Sequence, residues 1–209
     1  MPTTDVLPIT PTPTATPTWE QLHMWWAEMH ADPEDLRTAF SDFSPTELEA
    51  FLSQDLLLVL FHSGQTLIAA AWLHDLVRDA YGNPTDGWIG GWVAKPFRGR
   101  TGGVCWQMAL AYFAQHGVHH IHSAINVDNR PSFVFTKRLM AFTVVGVFPQ
   151  LSQFGGVLTD VHILTLHPED RDRAWQRAEA MAHQRWPERY SLFQTQVDFT
   201  ASTALTSVK

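Results

Sequence analysis

The stretch that most constrains how this chain can fold runs from Trp88 to Gly117, WIGGWVAKPFRGRTGGVCWQMALAYFAQHG. A strand-like apolar run ends at Lys95-Pro96, a basic glycine-rich turn follows, and a long apolar helical pattern leaves it. The turn Arg98-Gly99-Arg100-Thr101-Gly102-Gly103 sets small residues and two guanidinium groups at a helix N-terminus. Backbone N–H donors, the helix dipole and guanidinium pairing together hold a phosphate group. The spacing therefore predicts a pyrophosphate site between a strand and a helix.

Composition limits what else the chain can be. Its 209 residues are enough for one domain with extensions and a full core. The formal net charge of −7, with only 14 Lys and Arg, argues against nucleic-acid or anionic-membrane partners. A local basic turn in an acidic protein points instead to a small anionic ligand. The single cysteine, Cys105, leaves no intrachain disulfide or cysteine-rich zinc site, and its place in the apolar helix predicts an inert buried thiol. The start MPTTDVLPIT lacks a basic and then apolar leader, and no run reaches membrane-spanning length, so a cytoplasmic protein is expected.

Residues 1–18 contain five Pro and seven Thr and read as an extended or disordered arm. From Trp19 the pattern turns helical: Trp19, Leu22, Trp26 and Met29 recur at helical steps, and Thr18 can cap. A short helix over 33–40 is expected, then another from Ser44, where Ser44-Pro45-Thr46-Glu47 has the form of a capping box. Asp55–His62 and Thr66–Val77 read as a hairpin about Ser63-Gly64-Gln65. The polar run Arg78–Gly87 reads as a loop before a strand at Trp88–Ala94. A helix from Gly102 or Gly103 to His116, closed by Gly117, leads to a strand over Val118–Val127. Because a helix crosses between them, these two strands must be parallel. A helix opening at Asp128–Ser132, strands at Phe142–Phe148 and Val157–Leu166, and an amphipathic helix within 168–189 follow, and a Ser/Thr-rich tail occupies 190–209. The order predicts an α/β fold whose mixed, mostly antiparallel sheet has a central parallel pair flanked by helices, with the main domain at 19–167.

The histidines of the 118–127 strand alternate, placing His120 and His122 on one face and His119 on the other. A metal site would need a third ligand that the sequence does not supply, so no metal is expected. His122 is a candidate general base, because an imidazole exchanges protons near neutral pH.

Val93-Ala94-Lys95-Pro96-Phe97-Arg98-Gly99-Arg100-Thr101-Gly102-Gly103 resembles the acetyl-CoA motif of the GCN5-related N-acetyltransferases, Arg/Gln-x-x-Gly-x-Gly/Ala after a strand. Ile125 to Ser132 resembles the family's Asn-x-x-Ser/Ala strand-to-helix signature, and Leu139–Phe142 stands where relatives often read Leu-Gly-Phe. The resemblance covers roughly residues 55–166. It implies acetyl-CoA as the substrate-type cofactor, with Trp92 and Val93 along its pantetheine arm. It places the pyrophosphate on Arg98, Gly99, Arg100, Thr101, Gly102 and Gly103, with Asn129 touching the cofactor from the next helix. Three positions depart from the family pattern. Thr101 replaces the motif's first glycine, Leu-Gly-Phe becomes Leu139-Met140-Ala141-Phe142, and Thr136 stands in place of the tyrosine that many relatives use as general acid. Ser132 and Thr136 are then the hydroxyls nearest the leaving sulfur by resemblance, and the nearest carboxylate to the 88–94 strand is Asp86, in the loop before it.

Two functions follow. One is an N-acetyltransferase moving an acetyl group from acetyl-CoA to an amine. The other is a non-catalytic protein of the same fold, an assembly or virion component of the kind that degenerate phage-encoded relatives suggest. Its arm and terminal helix would grip a homo-oligomer or a larger assembly, a role suited to a chain with nine Trp.

Overall fold

The computed structural model describes residues 11–33 and 46–171, together with positions 173, 176 and 180. In chain order the elements are β1 (Thr12–Thr14), α1 (Trp19–His30), α2 (Leu48–Leu52), β2 (Leu57–Ser63), β3 (Thr66–Arg78), β4 (Pro84–Val93), a single 3-10 turn (Lys95–Phe97), α3 (Arg100–Gln115), β5 (His120–Asn126), α4 (Arg130–Arg138), β6 (Thr143–Phe154) and β7 (Val157–Leu166). They form one seven-stranded sheet in the order β1-β2-β3-β4-β5-β7-β6. Every neighbouring pair is antiparallel except β4 and β5, which the α3 crossover makes parallel as the sequence requires.

Each face of the sheet has its own core. On one face, α3 lays Val104, Cys105, Met108, Ala109, Tyr112 and Phe113 onto Val59, Phe61, Leu73, Ile89, Ile121 and Leu164. On the other, Trp25, Met29 and Phe51 of α1 and α2 close over Leu58, Leu60, Trp72 and Trp92. Trp25 sits 5.7 Å from Phe51 and 5.6 Å from Trp72, ring to ring, inside the range where tilted and edge-on aromatic pairs attract. The Thr18 hydroxyl accepts from the Gln21 N–H at 3.2 Å while the Gln21 side chain accepts from the Thr18 N–H at 2.8 Å, so α1 opens on a capping box. At the far end of α3, Gly117 takes φ +90°, its N–H bonds the Ala114 carbonyl, and the Val118 N–H bonds that of Phe113. This Schellman closure turns the chain directly into β5.

The structure moves several expected boundaries. The start of the helix expected from Ser44 is overturned: Glu47 is extended and lies outside α2, so it cannot be the third residue of a capping box. Ser44, Pro45 and most of the expected 33–40 helix lie outside the described residues, as do most of 168–189 and all of the 190–209 tail. Asp55 precedes β2, and its carboxylate grips Arg78 Nε at 2.7 Å. That guanidinium holds the Asp55 carboxyl below the ordinary carboxylate range, chiefly by hydrogen bonding. The expected 78–87 loop is a tight hairpin instead. Asp79 Oδ1 accepts from the N–H groups of Tyr81 and Asn83, so β3 and β4 keep pairing through Val77↔Asp86 and Arg78↔Pro84. Asp86 is therefore a strand residue. Likewise β6 runs past Pro149 to Phe154. It is an edge strand, which tolerates a proline, and a bulge between Phe148 and Ser152 with Gln150 at φ +53° absorbs it. Thr12–Thr14 pairs along the outer edge of β2.

Ala141 has φ +59°, in the short link between α4 and β6. Its neighbours Met140 and Phe142 are buried in the core, so the chain must reverse at the residue between them. An L-residue pays about 1–2 kcal/mol for this conformation and glycine does not. Ala141→Gly is expected to raise the stability by roughly 0.5–1 kcal/mol, read as a higher urea midpoint at unchanged slope. His62 is buried with an unpartnered Nε2, and desolvation holds its imidazole below the usual histidine value. As pH falls through about 6.5 the unfolded chain takes up this proton first, so stability is full above that pH and declines below it. The decline between pH 7.5 and 5.5 is expected to be smaller in His62→Phe, by denaturant titration at each pH.

Candidate active site

Parallel pairing of β4 with β5 covers Asp86↔His120, Gly87↔Ile121 and Trp88↔His122. Beyond Trp88 the strands part, although β4 continues to Val93 and β5 to Asn126. Between them opens a cleft of about 500 Å³. Gly90, Gly91, Trp92 and Val93 line one wall, Ser123, Ala124 and Ile125 the other, and Trp106, Phe135 and Thr136 of α3 and α4 lie over it. Beyond Trp88 the two strands no longer pair with each other, and their facing edges can meet an extended ligand.

Two adjacent glycines shape the β4 wall. A Cβ on Gly90 would fall inside the Trp72 indole, and one on Gly91 inside the Trp106 indole, on the opposite face of the sheet. Each ring takes the volume that a side chain would occupy, which brings β4 close beneath both. Sequence reading noted the glycines only as part of a strand. That each sits under an indole follows from the pairing of Gly90 with Trp72 and from the crossing of α3.

The cleft ends on the N-terminus of α3. Gly99 is its cap residue, with φ +95° and ψ −127°, a conformation open only to glycine. The helix starts at Arg100, earlier than the sequence suggested, so the N–H groups of Arg100, Thr101 and Gly102 have no carbonyl one turn back. Gly103 is different: its N–H is committed to the Gly99 carbonyl at 2.8 Å and closes the first helical turn. It is therefore not a phosphate donor, a correction to the sequence reading. Thr101 is helical, and the positive φ of the turn falls on Gly99, so a branched Cβ at 101 meets no backbone strain. Gly102 is packed where an added Cβ would lie 3.1 Å from the Val93 side chain. Arg98 Nε donates to the Val93 carbonyl at 3.1 Å, setting its guanidinium at the cleft mouth beside the helix terminus.

Asn129 caps α4, its Oδ1 accepting from the Ser132 N–H at 3.2 Å, and both residues line the cleft with Pro131. Thr136 lies one turn further along. Trp92 lines the cleft with its backbone while its side chain is buried in the core beneath α1 and α2. Ser132 and Thr136 are thus brought to the same cleft as the α3 terminus. His122 is not: strand alternation turns it to the opposite face, where Nδ1 lies 3.0 Å from Thr165 Oγ1 and Nε2 lies 3.8 Å from Asp86 Oδ1. Among the described residues no group of three His, Cys, Asp or Glu could hold a metal, and no helix is long and apolar enough to cross a membrane.

No family model and no curated protein matches the chain. Solved structures do. Mycobacterium smegmatis RimJ in complex with CoA-disulfide superimposes with a TM-score of 0.64 at 16% identity, covering 78% of this chain and 86% of that one. The ribosomal-protein-alanine N-acetyltransferase of Brucella melitensis gives 0.60 at 14%, over 74% and 98%. Salmonella typhimurium yncA with its cofactor acetyl-CoA gives 0.57 at 15%, over 76% and 94%. The fold is that of the GCN5-related acetyltransferases, the acyl-CoA N-acyltransferase fold: a mostly antiparallel mixed sheet with one parallel pair, flanked by helices. The likeness covers about three quarters of the chain.

Cys105 is 1% exposed on α3, and burial pushes its thiol well up. A thiol reagent is expected to leave it unmodified in the native protein and to modify it fully in denaturant, as counted by mass spectrometry.

Proposed function

We propose that this protein is an acetyl-CoA-dependent N-acetyltransferase. The observation that carries the reading is the alignment of three features along one cleft. These are two parted strand edges, a helix N-terminus whose first three N–H groups lack helical partners, and a glycine at φ +95° that lets the chain approach a phosphate closely. The residues fit a pyrophosphate at Gly99–Gly102 with Arg98 beside it, and an extended arm along Trp92–Val93. Asn129 reaches the same cleft from α4. The coenzyme would supply an activated acetyl thioester, while the chain holds and orients it and keeps water out with Trp106 and Phe135.

Ser132 and Thr136 are the hydroxyls that line this cleft, and we assign them to solvating or protonating the leaving sulfur. A second reading, a non-catalytic assembly protein, draws on the exposed apolar side chains of the β6–β7 hairpin, among them Val145, Val147, Leu151 and Val157. Calorimetry with acetyl-CoA separates the two. Saturable binding is expected in the wild type, with affinity about tenfold lower in Arg98→Ala, the loss of roughly 1.4 kcal/mol typical of a charge-assisted contact. Absence of binding at millimolar acetyl-CoA would sink the transferase reading.

A further inference from the structure

Besides the two hydroxyls of α4, a third borders the cleft from the strand side. Ser123 of β5 pairs with Leu164 and shares a face with Ile121 and Ile125, the face that packs against α3. It is 6% exposed, and it lines the cleft. Among the described residues its Oγ has no hydrogen-bond partner. The sealed side-chain atoms without a partner belong to Trp25, His62 and His162. Ser123 Oγ is therefore not sealed, and the open space it borders is the cleft. The side chains that line the cleft around it on this face are mainly apolar. They include Ile89, Ile125, Trp106 and Phe135, and the last two meet edge-on at 6.3 Å. A buried hydroxyl in such surroundings is costly to leave unpaired, and a ligand removes that cost only by bringing a matching group.

Depth in the cleft decides which part of a coenzyme meets Ser123. The last parallel pair is Trp88↔His122, so Ser123 is level with Ile89, one step from the closed end. The α3 terminus lies at the other end, where Gly102 packs on Val93. From Val93 back to Ile89 along β4 is roughly 13 Å of strand. A pantetheine arm has about thirteen bonds between phosphorus and sulfur, roughly 16 Å at the reach of an extended chain. An arm running from a pyrophosphate at Gly99–Gly102 therefore brings its thioester to the level of Ile89 and Ser123. Ser132 stands nearer the mouth. It lies in the first turn of α4, which begins only after β5 has run roughly 10 Å from Ser123 to its end at Asn126.

We propose that Ser123 recognises the thioester, its Oγ–H donating to the acetyl carbonyl oxygen at the closed end of the cleft. The assignment rests on the transferase reading above. Of the two acceptors that a thioester brings, the carbonyl oxygen is strong and the sulfur weak, so the oxygen takes the hydrogen bond. That bond fixes which way the acetyl group faces. It also strengthens as negative charge gathers on the oxygen, while the proton stays on the serine. Ser123 thus holds the carbonyl from β5, and the α4 hydroxyls are left for the sulfur.

The test uses the full-length protein and two readouts that need no turnover. In the first, acetyl-CoA carrying carbon-13 at the thioester carbonyl is bound, and the carbonyl stretch is read by isotope-edited infrared spectroscopy. The stretch is expected at lower frequency in the wild type than in Ser123→Ala, with Ser123→Cys, a weaker donor, in between. Thr136→Val is expected to leave it at the wild-type frequency. In the second, calorimetry compares acetyl-CoA with S-ethyl-CoA, a thioether of the same shape without the carbonyl. The wild type is expected to prefer acetyl-CoA about fivefold, and Ser123→Ala to lose that preference. Ser123→Ala should keep the wild-type Kd for S-ethyl-CoA, which distinguishes loss of the hydrogen bond from loss of the fold. An unchanged stretch in Ser123→Ala, or an unchanged preference, overturns the assignment of Ser123 and leaves the transferase reading standing. If the wild type binds neither compound, the transferase reading falls and this assignment falls with it.

Discussion

The parting of β4 from β5 is the constraint on which the rest of this molecule depends. Parallel strands joined by a helix cannot be separated at will, because each lost register pair leaves backbone N–H and C=O groups without partners. Here the pairing stops after Trp88↔His122, and both strands nevertheless continue. What holds them apart is packing. Trp106 drops from α3 onto Gly91 on one face, Trp72 fills the space over Gly90 on the other, and the two cores clamp β4 between them. The open edges are then the natural place for a ligand that brings its own amide groups.

The helix terminus at the end of the cleft has the same origin. Because β4 ends at Val93 and the 3-10 turn Lys95–Phe97 lifts the chain, Gly99 can reverse it and aim the first turn of α3 back along the strand. A side chain at position 99 would resist that reversal, and one at position 102 would press on Val93. Arg98 is tied by its Nε to the Val93 carbonyl, so the positive group is pinned to the wall it serves. The polar side chains divide between the two faces of the sheet: Ser132 and Thr136 of α4 line the cleft, while Asp86 and His122 lie on the opposite face.

Much of this was legible in the sequence for a simple reason: it is local. The strand, the glycine-rich turn and the apolar helix lie within thirty residues, and the crossover forces parallel pairing. Asn129 and Ser132 were reached through the resemblance of Ile125 to Ser132 to the family signature, and the structure adds that they are a helix cap and its N–H partner. The misread boundaries share a cause as well. Arg78–Gly87 looked like a loop because its side chains are polar, but polar side chains can face solvent while the backbone pairs, and Asp79 closes the turn. The strand expected over Phe142–Phe148 runs on through Pro149 to Phe154, because an edge strand has a side on which no N–H is needed.

The sequence by itself determined the α/β order, the single parallel pair, the glycine-rich turn between strand and helix and the inert place of Cys105. All of these follow from periodicity, turn chemistry and the handedness of a crossover. Only the tertiary structure decided where the parallel strands part, that Gly103 is spent on the helix while Thr101 is unstrained, and that Asp86 meets His122. Those facts depend on register between strands far apart in the chain. A shift of one residue would turn every side chain to the other face, so no local pattern can fix them.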